Sequence, residues 1–83
     1  MQSAKTAIYP NPNSGSFTVS YIGGGNQLTI EIYSTLGQQI VNKQFNVADA
    51  ANIPITGFED GVYMVKLSVD GIPLRIERVI VTK

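Results

Sequence analysis

Few side chains in this sequence are suited to chemistry, and their spacing is poor for it. Glu59 and Asp60 are adjacent, and together with Asp70 or a backbone carbonyl they could offer oxygen ligands to a Ca²⁺ ion. The ligand spacing of an EF-hand loop is missing, so a solvated turn is expected at Glu59-Asp60 instead. Ser14 stands beside Gly15, but a serine nucleophile needs a base to take its proton, and the chain has no histidine. Nor does it contain cysteine, which removes thiolate metal sites and any disulfide framework. The sequence therefore predicts no catalytic residue, no metal and no cofactor.

Charge points to no polyanionic partner. Six basic residues balance six acidic ones over 83 residues, so neither nucleic acid nor an anionic membrane is expected. The distribution is uneven, however: residues 61–83 hold Lys66, Arg75, Arg78 and Lys83 against Asp70 and Glu77, which makes the last third mildly basic. No apolar run approaches the roughly 20 residues that span a bilayer, and the opening MQSAKTA lacks the apolar stretch of a secretory signal peptide. A chain of this size predicts one domain with a thin core, hiding about 60% of its unfolded surface.

The elements that must position these residues follow a period of two. Phe17, Val19 and Tyr21 alternate with polar residues, as do Leu28, Ile30 and Ile32, and later Tyr63, Val65, Leu67 and Val69. Val41, Phe45 and Val47 share a phase broken by Lys43, which suits an edge strand, because a charge leaning inward discourages pairing with another chain. Pro54 in NIPI cannot donate to a ladder, so that short strand is also placed at an edge. TAIY at the start and PLRIERVIVT at the end bring the count to seven. Between the strands lie turn signals: Asn13-Ser14-Gly15, Gly23-Gly24-Gly25-Asn26, Ser34-Thr35-Leu36-Gly37 and Asp70-Gly71. DAANI has room for only a brief helical turn. This pattern predicts an all-β, immunoglobulin-like antiparallel sandwich of about seven strands.

Asp70-Gly71 is the sharpest of the turn signals, since a two-residue hairpin turn with positive φ at both positions favours this dipeptide. Such a turn predicts that Val69 faces Ile72, Leu67 faces Leu74, Val65 faces Ile76 and Tyr63 faces Arg78, with Arg75 and Glu77 kept out of the interior. The last pair would place a guanidinium over a ring. On the outer face the same register aligns Val62 with Val79, Met64 with Glu77 and Lys66 with Arg75, with Val81 continuing the line. This apolar strip beside basic groups reads either as an ordinary solvated sheet or as a docking surface.

Three phrases together, YPNPNSGSF, IEIYSTLGQQI and GVYMVKLSVDGIPLRIERVIVTK, closely resemble the type A C-terminal sorting domain of the type IX secretion system of Bacteroidota. The resemblance runs from about Ala7 to Lys83. It rests on Pro10, Asn11, Pro12, Gly15 and Phe17; on Ile32, Tyr33 and Gly37; on Gly61, Val62, Tyr63 and Lys66; and on the basic-aliphatic ending Arg78, Val79, Ile80, Val81 and Lys83. Asp70 and Gly71 belong to the same structural signature. Two positions depart from the family pattern: Ser34 replaces a frequent acidic residue, although a serine can make a similar local bond to the backbone, and Glu77-Arg78 replaces a frequent lysine pair.

The resemblance implies a non-catalytic address carried at the end of a larger exported protein. Residues 1–6 would then be a linker remnant or an introduced start, and residues 7–83 the sorting domain. The implied partners are a covalently preceding cargo, the outer-membrane translocon of the type IX system, a shuttle protein and a sortase-like peptidase that removes the domain. The implied route is through the periplasm to the cell surface or the medium. The expected recognition set is Gly61, Val62, Tyr63, Met64, Lys66, Arg78, Val79, Ile80, Val81 and Lys83, read either on the folded outer face or through a terminal strand that peels away to join a partner's sheet. The prolines predict a stiff corner that protects the first strand's edge, because they fix φ and bias the preceding residues toward extended geometry. The competing class is a fibronectin-like adhesion or carbohydrate-binding sandwich, for which only Tyr33 and Phe58 are candidate aromatic platforms; Phe58 is expected to plug the sandwich end instead.

Overall fold

The alternating runs fold into seven strands in a computed structural model that describes residues 5–82. They are β1 (Lys5–Tyr9), β2 (Phe17–Ile22), β3 (Gln27–Ser34), β4 (Gln39–Asn46), β5 (Ile53–Ile55), β6 (Gly61–Val69) and β7 (Ile72–Val81). The one helical piece among the described residues is a 3-10 turn over Val47–Asp49. Two antiparallel sheets result, one ordered β1-β2-β5 and the other β4-β3-β6-β7. The chain changes sheet after β2, β4 and β5, which gives the sandwich arrangement of the immunoglobulin-like class.

The inner faces of β2, β3 and β6 are those that the period predicts. Phe17, Val19 and Tyr21 of β2 meet Leu28, Ile30 and Ile32 of β3 and Val65, Leu67 and Val69 of β6, all of them buried. Each large aliphatic residue buried here contributes roughly 1.5–3 kcal/mol relative to leaving it in water. Strand β4 is an edge, and its Val41, Lys43 and Phe45 stand opposite Ile32, Ile30 and Leu28. Strand β5 is also an edge, with Pro54 opposite Thr18 of β2.

Two turns use the expected chemistry. Gly37 closes the β3–β4 connection at φ 84°, and the Ser34 hydroxyl accepts bonds from the backbone of Leu36 and Gln38, each at 3.3 Å. Asp70 and Gly71 have φ of 52° and 83°, and the Asp70 carboxylate reaches back to the amides of Asn26 (3.0 Å) and Gln27 (3.0 Å). The sheet-crossing corner before β6 is filled by rings. Phe58 is buried and packs edge-on against Phe17 at 5.7 Å and Tyr63 at 4.9 Å. The Tyr63 hydroxyl donates to the Glu59 carbonyl at 2.8 Å, a tyrosine tied to backbone just upstream as in other immunoglobulin-like corners.

Candidate functional site

The β6–β7 ribbon keeps its turn but not the expected register. Val69 faces Ile72 and Ser68 faces Pro73; a bulge then leaves Leu74 unpaired, and Leu67 faces Arg75. From there the pairs are Lys66–Ile76, Val65–Glu77, Met64–Arg78, Tyr63–Val79, Val62–Ile80 and Gly61–Val81. One extra residue on a strand exchanges its two faces. The predicted Leu67–Leu74, Val65–Ile76 and Tyr63–Arg78 pairs are therefore replaced, and so are the outer pairs Val62–Val79, Met64–Glu77 and Lys66–Arg75.

The exchange has a physical reason. With it, Val79 and Val81 enter the core at 0% and 1% exposure. The expectation that Arg75 and Glu77 avoid the inner side fails because they lie at the margin of the sandwich, where polar partners exist. Arg75 donates to the Thr6 carbonyl (2.9 Å) and hydroxyl (3.0 Å) on β1 and forms an ion pair with Glu77. Glu77 in turn accepts a bond from Asn11 at 3.3 Å. An aliphatic pair there would leave the Thr6 carbonyl without this donor. The expected contact between Arg78 and the Tyr63 ring is also lost: Arg78 stands opposite Met64 on the outer face, whereas Tyr63 packs inward on Phe58.

The resulting outer face of the ribbon carries Val62, Met64 and Lys66 from β6 and Ile76, Arg78 and Ile80 from β7. Ile76 is 61% exposed, and neither Lys66 nor Arg78 forms an ion pair among the described residues. Of the expected recognition residues, Val62, Met64, Lys66, Arg78 and Ile80 thus come together on one surface. Val79 and Val81 are core, Tyr63 is half-buried inside, and Lys83 lies outside the described residues, as do residues 1–4. Ile76 is an addition that the sequence reading missed, because the bulge hides its face.

Beside this strip β3 and β4 present a polar cluster. The Tyr33 hydroxyl donates to Glu31 (2.9 Å), and Gln39 donates to both Glu31 and Tyr33 (3.1 Å each). The Glu31 carboxylate at the Tyr33 hydroxyl raises the phenol's pKa above its ordinary value. Glu31 and Tyr33 sit across from Lys66 and Met64. Among the described residues no group of three acidic side chains is placed to hold a metal; Glu59-Asp60 and Asp70 flank opposite ends of the nine-residue β6.

The proline-rich corner does more than stiffen an entry. Tyr9–Pro10 and Asn11–Pro12 are cis, and between and after them two asparagines reach the outer edge of β7. Asn11 accepts from the Ile80 amide at 3.0 Å and donates to the Arg78 carbonyl at 2.8 Å. The Asn13 backbone donates to the Ile80 carbonyl (2.9 Å) and accepts from the Thr82 amide (2.8 Å), a parallel bridge to the last strand. Asn13 is only 6% exposed, and its side chain accepts from the Gly15 amide at 2.9 Å. The edge that this corner covers is that of β7 rather than that of β1. No helical or strand signal in the sequence marks such a contact.

A family model described as a secretion system C-terminal sorting domain matches residues 7–82. The chain is also 40% identical over 62 residues to an endo-acting ulvan lyase of Formosa agariphila, a match covering 74% of this chain and 12% of that protein. The chain thus spans only a small part of the length of this relative.

Proposed function

Because the chain belongs to the family of secretion system C-terminal sorting domains, of the type IX kind, we propose that it serves as a folded address read on the outer face of β6 and β7. The family is a sorting family and not a catalytic one. The reading on this chain is that a cargo precedes the domain, that the pair reaches the periplasm, and that a shuttle protein and the outer-membrane translocon engage the domain before a sortase-like peptidase removes it. Cargo and domain then part at the cell surface or in the medium. The ulvan lyase, of which this chain matches 12%, supports a large cargo of the enzyme kind.

The observation that carries the proposal is the strip itself. Val62, Met64, Ile76 and Ile80 surround Lys66 and Arg78, two cations without ion-pair partners among the described residues. Apolar area gives affinity to such a contact, and unpaired charge selects an acidic counterpart and speeds encounter. The adhesion alternative loses support from Phe58, which is buried, and from Tyr33, whose hydroxyl is engaged by Glu31 and Gln39.

The test fuses residues 1–83 to the C-terminus of a fluorescent protein that is delivered to the periplasm of a type IX-competent host. Fluorescence outside the cell is expected, and the double change Lys66→Glu with Arg78→Glu should cut it by roughly tenfold while the domain stays folded. Full export of the charge-reversed fusion would discard this face as the readout. Retention of the unaltered fusion, with binding on a glycan array, would favour adhesion.

A further inference from the structure

The outer face of the three-stranded sheet takes no part in the sorting surface, and one corner of it holds an exposed ring. Tyr9 of β1, Thr18 of β2 and Pro54 of β5 stand side by side across that sheet. Directly opposed residues share a face, and the chain neighbours Ile8, Val19, Ile53 and Ile55 are the ones that enter the core. Tyr9 therefore lies on the solvent side, where it is 47% exposed. Its hydroxyl donates to Asn52 Oδ1 at 3.1 Å. Asn52 leads into β5, so the ring reaches across β2 and is held along the sheet. Beside it is a cleft of about 180 Å³, lined by Pro10, Ser16, Phe17, Thr18, Pro54 and Thr56. No charged side chain lines it, and the hydroxyls of Ser16, Thr18 and Thr56 have no hydrogen-bond partner among the described residues.

We propose that Tyr9 and this cleft form a binding site for a neutral carbohydrate, taking one sugar unit of a longer glycan. A pyranose ring has an apolar C–H face and a rim of hydroxyls. Tyr9, Pro10 and Pro54 offer flat apolar surface to the face. The three unpaired hydroxyls both donate to and accept from the rim, which a carboxylate or an ammonium group does in one sense only. An anionic sugar finds no cation in the lining. The cleft is smaller than the roughly 300 Å³ at which sites for drug-sized molecules begin, so it grips a single unit and leaves the rest of the glycan to run out over the sheet. Tyr9 thus supplies the platform that Tyr33 and Phe58 do not. The site belongs to the opposite sheet from Val62, Met64, Lys66, Arg78 and Ile80, so a bound glycan leaves the sorting surface free. The inference is independent of the sorting role.

Heteronuclear NMR on residues 1–83 tests it with four neutral probes, cellohexaose, laminarihexaose, mannohexaose and xylohexaose, and with hexagalacturonate as the charged comparison. At least one neutral hexamer should shift the Thr18, Ile55 and Thr56 amides with a Kd of about 1 mM, while the Lys66 and Arg78 amides stay in place. Tyr9→Ala should weaken that binding roughly tenfold, whereas Tyr9→Phe, which keeps the ring and gives up only the bond to Asn52, should weaken it by no more than about threefold. Thr18→Val, of the same shape without the hydroxyl, should weaken it roughly fivefold and carries the test should Tyr9→Ala not fold. The site is overturned if none of the four neutral hexamers shifts these amides, or if the shifts survive Tyr9→Ala and Thr18→Val in folded protein. Tighter binding of hexagalacturonate than of every neutral hexamer would overturn the ligand class. None of these outcomes bears on export of the fluorescent fusion, which tests the sorting role separately.

Discussion

β4 and β7 lie at the two margins of the same four-stranded sheet, yet they are protected by different means. β4 carries its protection in its own residues: Lys43 stands on the core side opposite Ile30, and most of the strand is exposed. A strand added there would meet a charge at the rim of the core. β7 also carries inward charges, Arg75 and Glu77, with Pro73 and a bulge at Leu74, but its Ile72, Leu74 and Ile76 are exposed apolar residues. Its edge is covered from outside, by Asn11 and Asn13. Local protection can be read in a strand's composition, whereas protection borrowed across the fold cannot.

The comparison can be broken most forcefully in the core beneath each strand. Val79→Ala on β7 removes a side chain with 0% exposure and should cost about 2 kcal/mol in urea unfolding, whereas Val41→Ala on half-buried β4 should cost about 1 kcal/mol or less. Equal losses would mean that both margins are packed alike. Next in size, Asn11→Ala deletes three bonds to β7 and should cost about 1 kcal/mol, against a change within about 0.5 kcal/mol for Gln44→Ala on the exposed surface of β4. A smaller effect on stability, with a clear one on association, is expected for Lys43→Val: light scattering should report self-association while the unfolding midpoint hardly moves.

The smallest effect concerns the tie between β3 and β4. Tyr33 holds its proton more tightly in the fold than in the open chain, because Glu31 accepts its bond. A raised pKa adds stability that is fully present below the phenol's ordinary value of about 10 and is lost as pH rises through the folded value. The unaltered protein should therefore weaken slightly above about pH 10, and Tyr33→Phe should remove that slope. An identical alkaline slope in both proteins would assign it to other groups.

The same contrast explains what the sequence revealed. The two sheets, the edge positions of β4 and β5, the Asp70-Gly71 turn and the burial of Phe58 were legible because each follows from residues adjacent in the chain: alternation, a lysine out of phase, a proline, a turn dipeptide, a lone ring near a corner. The face of β7 was not. Alternation there offers two phases, Ile72-Leu74-Ile76 or Val79-Val81, and the bulge at Leu74 hands the core side to the second, leaving Ile76 on the outer face. The choice depends on Thr6 and Asn11, which give Arg75 and Glu77 polar partners at the margin. Consequently the outer strip was half legible: Val62, Met64, Lys66, Arg78 and Ile80 were named, Val79 and Val81 were assigned to the wrong side, and Ile76 was missed.

The parallel bridge between Asn13 and Val81 also has a mechanical consequence. Two parallel stretches tugged from opposite ends of the chain slide past each other, so the bonds of Asn11 and Asn13 to residues 78–82 bear the load together and not one after another. A domain towed by its front while its tail is gripped would resist as a unit until that short seam slips, and only then begin to unravel.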